Sequence, residues 1–269
     1  MLLLDCEALE PLTRLAAPFE ARTMGWATLA ESAQIAAPST VIVIDPFASR
    51  GSPELDPRIP TLLTAARMLP VVALVPFQPT YARAARTLLD WGMTEIADAE
   101  FEGSAEAIRM RLLSVHAQPL KKLVEASLSR LVSIDGLTLI RAAAEVAVDR
   151  GTAVGLGRLF EASERTVAGW CAREGLPPPR RLLAWLRLLL ALSLVEDPHR
   201  LVLNAATCAG YTDHSFRRAL REMLGERAPT RGWTLRDGLN VFNAELRELR
   251  EKARQIRRRD HRPRNGRRR

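Results

Sequence analysis

Two groups of cations and hydroxyls recur at helical spacing in the second half of this sequence. One is Arg165, Thr166 and Arg173; the other is His214, Ser215, Arg217, Arg218 and Arg221. A guanidinium carries a permanent charge and a rigid fork of N–H donors, which matches phosphate oxygens and the paired acceptors of guanine. Serine, threonine and histidine add single hydrogen bonds at shorter reach. Separations of three, four and seven residues put each group on one face of a helix. The chemistry implied is recognition of a polyanion.

These side chains need short helices held at fixed angles. The segment 154–162 predicts a helix with Leu156, Leu159 and Phe160 facing inward. Ser163 is suited to cap the next helix, because its hydroxyl can accept from an unpaired backbone N–H of the first turn. In that helix Val167, Trp170 and Cys171 should face inward and Arg165, Thr166, Gly169 and Arg173 outward. Gly175 ends it as a left-handed C′ residue. Gly169 lies mid-helix, where glycine costs about 1 kcal/mol against alanine. Pro177–Pro179 precede an apolar helix over about 180–195, roughly 24 Å long at 1.5 Å per residue. Arg187 in it reads as structural. The pattern then repeats. Residues 201–209 are a short apolar helix, Gly210-Tyr211 a turn, and Thr212 or Asp213 a cap for the helix from His214 to about Gly225. Phe216, Leu220, Met223 and Leu224 should face inward there. Two short helices across a tight turn, with cations outside the second, can set a helix into a DNA major groove.

From Ser163 to Arg231 the residues resemble the AraC/XylS type of helix-turn-helix transcriptional regulator. The likeness is carried by Ser163-x-Arg165-Thr166-Val167, Gly175, the Arg187 and Ala191 pair, Gly210-Tyr211-Thr212-Asp213, Phe216-x-Arg218, Gly225 and Ala228-Pro229. The resemblance implies tandem helix-turn-helix units joined by one long helix and reading two adjacent major-groove segments. It implies double-stranded DNA as partner, with a homodimer and a contact to RNA polymerase as further partners.

The 269 residues suffice for about two domains. Residues 1–135 carry a net charge of −4 and residues 136–269 a net +12, so only the second half invites a polyanion. The first half alternates apolar runs with helical patterns. Strands are predicted at Leu2–Leu4, Glu20–Met24, Val41–Ile44, Val71–Val75 and Thr94–Ala97. Helices are predicted at Leu9–Phe19, Ala27–Ile35, Ile59–Met68, Tyr81–Trp91 and Ala105–His116. Buried strands each followed by a helix imply a doubly wound parallel five-stranded α/β sheet. This order resembles a response-regulator receiver. The resemblance puts Asp45 where the phosphoacceptor sits and Asp5 and Glu7 where metal-binding acids sit. A hydroxyl after Val75 and a lysine after Ala97 are missing, so the expected role is a degenerate pseudo-receiver for dimerisation or for signal or protein contact. The plainer reading of Asp45 is a cap at the sheet edge.

The expected organisation is a receiver-like α/β domain over 1–116, a linker helix over 117–136, an all-α DNA-binding domain over 137–256 and a disordered basic tail over 257–269. Leu120, Val124, Leu128 and Leu131 make one linker stripe, readable as a short dimer helix or as a helix docked on either domain. Ile134-Asp135-Gly136 is a plausible break. Leu239, Phe242, Leu246 and Leu249 make the stripe of a last helix, and the arginine-rich tail reads either as a source of sequence-independent DNA affinity or as a solvated tail with no specific role.

The three cysteines and four histidines are scattered, and no Walker loop, G-x-S-x-G or H-E-x-x-H occurs. No enzyme activity, cofactor, metal or membrane partner is expected. The start lacks a basic n-region, so a cytoplasmic location is expected. A second reading is a protein- or RNA-interaction module whose basic half binds nucleic acid without preference.

Overall fold

In a computed structural model, the structure describes residues 2–4, 20–48, 52–98, 105–128, 131–196, 201–225 and 232–260. The expected helix over 9–19, Asp5, Cys6, Glu7, His199, Ala228-Pro229, Arg231 and the run 261–269 lie outside the described residues. By its internal contacts the chain divides into two units. One is Met1–Lys122 with Ser193–Asp213; the other is Leu123–Leu192 with His214–Arg269.

The first unit is built on a parallel sheet. Its strands are β1 (Leu2–Leu4), β2 (Ala21–Thr23), β3 (Val41–Ile44), β4 (Val71–Val75) and β5 (Glu95–Asp98), ordered β2-β1-β3-β4-β5. At the centre, Ile42 is in register with Val71 and Ala73 with Ile96. Successive residues point to opposite faces. Ile42, Ile44, Val71, Ala73 and Val75 pack with Leu29 and Ala33 of α1 (Trp26–Ile35), Ile59 and Leu62 of α2 (Ile59–Ala65) and Leu88 of α3 (Ala82–Asp90). Val41, Val43, Val72 and Leu74 pack with Leu112 and Val115 of α4 (Ala105–Val115) on the other face. Burial on both faces explains why these strands are continuous apolar runs.

Several boundaries here differ from expectation by a residue or two, and two of them show why. The helix from Ile59 ends at Ala65, with Leu69 N–H closing a turn onto the Ala66 carbonyl before Pro70. The segment at Tyr81 opens as a 3-10 turn over Pro79–Tyr81.

Beyond the sheet lies α5 (Gln118–Leu128), and the division between units falls within it, after Lys122. Of the stripe, Leu120, Val124 and Leu128 are buried and Leu131 is half-buried. Then come α6 (Ile134–Val148), α7 (Ala153–Leu159), α8 (Glu164–Glu174) and α9 (Pro179–Val195). The expected break at Ile134–Gly136 is instead the first turn of α6. Ser133 caps it by accepting from the Gly136 N–H at 3.0 Å. Gly136 is needed there, because a Cβ would meet the Val132 side chain at 2.4 Å.

Last are α10 (Val202–Cys208), α11 (Asp213–Leu224) and α12 (Leu235–Asp260). Thr234 and Asp237 cap α12 reciprocally, Thr234 N–H reaching the carboxylate at 3.0 Å and Asp237 N–H the hydroxyl at 3.2 Å. The helix continues four residues into the expected tail, ending at Asp260. No helix among the described residues is long and apolar enough to cross a membrane.

Candidate nucleic-acid interface

The first helix pair is α7–α8. The Ser163 hydroxyl accepts from the Thr166 N–H at 3.1 Å, as its position predicts. It also lies 2.7 Å from the Thr166 hydroxyl, so Thr166 belongs to the cap as well as to the exposed face. Gly175 has φ 67°, and Leu176 N–H bonds the Cys171 carbonyl at 2.8 Å, closing the C-terminus in a left-handed turn. Val167 and Cys171 are fully buried. Burial pushes the Cys171 thiol up to about 11, which keeps it neutral and inert near pH 7. Trp170 is only half-buried and meets Phe160 edge-on at 5.7 Å. Leu159, expected inside, is 53% exposed. The reason is α7's length: seven residues place Leu156 at the core, and the turn begins directly after Leu159.

Arg165, Thr166, Gly169 and Arg173 are exposed on α8. Arg173 borders a cleft of about 370 Å³ lined by Asp135, Thr138, Leu139, Phe160, Trp170 and Glu174. Glu174 accepts from the Ser133 hydroxyl at 2.5 Å, which ties the end of α8 to the start of α6.

Behind α8 lie features without a counterpart among the sequence expectations. Glu245 of α12 takes Arg181 of α9 in a two-pronged pair at 2.6 and 2.8 Å, and the Trp185 indole N–H at 2.9 Å. Trp185 stacks on Phe242 at 5.1 Å. Arg187 donates to the Gly151 carbonyl and so binds the turn between α6 and α7, in keeping with a structural role. The available signal was a glutamate set between Phe242 and Leu246 in an otherwise apolar stripe.

In the second pair, Gly210 has φ 86°, and Tyr211 N–H bonds the Ala206 carbonyl at 2.9 Å. On α11, Phe216, Met223 and Leu224 are buried and Leu220 and Ser215 half-buried. His214, Arg217, Arg218 and Arg221 are exposed, and Arg218 is 3.5 Å from Glu222 one turn on. A pair so exposed contributes a few tenths of a kcal/mol at most and leaves Arg218 available. Burying Phe216 contributes about 1.5–3 kcal/mol, more than the marginal intrinsic stability of so short a helix. α10 packs within the first unit, where the Cys208 thiol reaches the Ile35 carbonyl at 3.5 Å. Its leading residues Leu201, Val202 and Leu203 are exposed.

At the end of β3, Asp45 is half-buried and accepts from the Phe47 N–H at 3.1 Å, a local cap. Phe47 in turn meets Tyr81 at 5.0 Å. Asp98, at the end of β5, is buried. No cluster of acids, histidines or cysteines able to hold a metal occurs among the described residues.

Compared with protein-family models, with curated proteins and with solved structures, the chain matches none.

Proposed function

We propose that this chain is a sequence-specific DNA-binding transcriptional regulator of AraC/XylS type, with α8 and α11 as its two recognition helices. The observation that carries the reading is the division of α11. Its apolar residues are buried, and His214, Arg217, Arg218 and Arg221 are held outward together. Arg165, Thr166 and Arg173 give α8 a second such face, and the net +12 of residues 136–269 supplies attraction to phosphate. Base contacts then set the preferred sequence and phosphate contacts the register.

The α/β unit serves as a pseudo-receiver for self-association or protein contact. The strand order, three helices against one face and α4 against the other support this. Phosphoryl chemistry at Asp45 is read as lost, because no hydroxyl follows Val75 and an acid, Asp98, stands where a cation is required.

The test is selection of bound duplexes from a random pool by the full chain at physiological salt. Enrichment of one motif, lost on replacing Arg218, supports the regulator. Uniform recovery of the pool sinks it and leaves a protein- or RNA-interaction module, a reading favoured by the exposed Leu201–Leu203 segment.

A further inference from the structure

Where α12 passes the end of α8, Ser133, Arg173, Glu174, Arg250, Ala253 and Arg254 line a cleft of about 100 Å³. Small-molecule sites run to roughly 300–1,000 Å³, so this one fits a single group of a larger partner. Three guanidinium-bearing residues from two helices line it with one carboxylate, and that carboxylate is held by the Ser133 hydroxyl. The negative end of the α8 dipole, equivalent to about half a charge, opposes an anion here. Among the residues lining the cleft, three cations stand against Glu174 and that half charge.

The cleft is built into the packing. Gly175 admits the α12 backbone: a Cβ there would stand 2.8 Å from the Arg250 Cα. Arg250 is held by donating to the Leu131 carbonyl, and a guanidinium has five N–H donors, so others remain. Arg173 lies two helical turns beyond Thr166 on the same face, which makes the cleft a continuation of the exposed α8 surface. The α12 backbone stays helical through Arg257, Arg258 and Arg259 to Asp260.

We propose that Arg173, Arg250 and Arg254 form a phosphate-binding site that grips the backbone of a duplex whose groove α8 enters. The inference rests on the regulator reading and adds α12 as a third contact element. Guanidinium forks match phosphate oxygens bidentately, which is why arginine suits this role.

The test uses the full chain and a set of fluorescein-labelled duplexes of different mixed sequence, followed by anisotropy across a salt series. Arg254 is exposed, so Arg254→Gln should fold with the Tm of the parent. It should weaken every duplex severalfold, leave their ranking intact, and flatten the slope of log K against log salt by about 0.9, one phosphate contact. Arg173→Gln with Arg254→Gln should flatten it about twice as much. Arg254→Lys should keep the slope and lose affinity. Arg236→Gln, at the far end of α12, should change neither. An unchanged slope for Arg254→Gln, or an equal loss for Arg236→Gln, overturns the cleft and leaves the regulator standing. No duplex binding by the parent, or tighter binding to single-stranded RNA or anionic vesicles, overturns both.

Discussion

The two helix pairs share a local design and differ in what holds them. In α7–α8 both helices belong to one unit, and α8 is capped at both ends. In the second pair, α10 belongs to the α/β unit and α11 to the helical one. The turns differ too. Gly210 supplies the left-handed residue of the second turn at no steric cost, while Glu161, with φ 50°, supplies it in the first. A non-glycine residue there costs roughly 1–2 kcal/mol. The first pair carries that strain, and the second avoids it through Gly210. A repeated local pattern thus specifies a helix pair without specifying how much backbone strain its turn carries.

The largest effect expected from this contrast is at Gly157. A Cβ there would meet the Ala162 backbone carbonyl at 2.6 Å, and Ala162 N–H already bonds the Gly157 carbonyl at 2.9 Å. Gly157→Val should destabilise the helical unit by on the order of 3 kcal/mol, read by denaturant unfolding. Gly210→Ala should cost about 1–2 kcal/mol from its positive φ. Equal losses would break the comparison.

Each pair also carries one buried thiol, Cys171 in α8 and Cys208 in α10. The folded Cys171 thiol titrates near 11, above its ordinary value near 9. The folded state therefore holds a proton that the unfolded state releases. Its contribution is complete below pH 9 and is lost as pH rises through 11, a fall of about 2–3 kcal/mol. Comparing the pH slopes of the parent and Cys171→Ala between pH 9 and 11 isolates the effect. A thiol reagent near pH 8 should modify Cys208 before Cys171; the reverse order would show the first pair to be the looser one.

On the DNA side, Arg218→Ala should weaken binding to the selected motif by about 1–3 kcal/mol, measured by gel shift, and relax sequence preference. Arg165→Ala should do the same at a different part of the motif. If only one matters, the chain reads DNA through a single helix.

Much of this arrangement is legible in local chemistry. Val41–Ile44 and Val71–Val75 are continuous β-branched and apolar runs, and the buried sheet requires such runs. Ser163 and Gly175 satisfy backbone groups within their own turns, so spacing alone locates them. Ser163→Ala should cost about 1 kcal/mol, read by thermal unfolding. What escapes local reading depends on distant partners. Gly136 resembles a breaker until Val132 is seen to fill the space of its side chain. Leu159 has the right period and the wrong turn. Arg250 sits in an apolar stripe by spacing, yet its neighbours are Leu131 and Gly175, far away in sequence.

The smallest predicted effect sharpens the contrast most cheaply. Gly169 is exposed in the middle of α8, and a Cβ built on it meets nothing within 4 Å. The chain itself therefore gives no steric reason for glycine, and Gly169→Ala should stabilise α8 by about 0.5–1 kcal/mol. If α8 lies in a groove, the added methyl stands between Thr166 and Arg173, where a duplex must approach closely. Binding to the selected motif should then weaken while thermal stability rises. A variant that gains stability with affinity unchanged would mean that this face of α8 stays clear of DNA, and would leave recognition to α11.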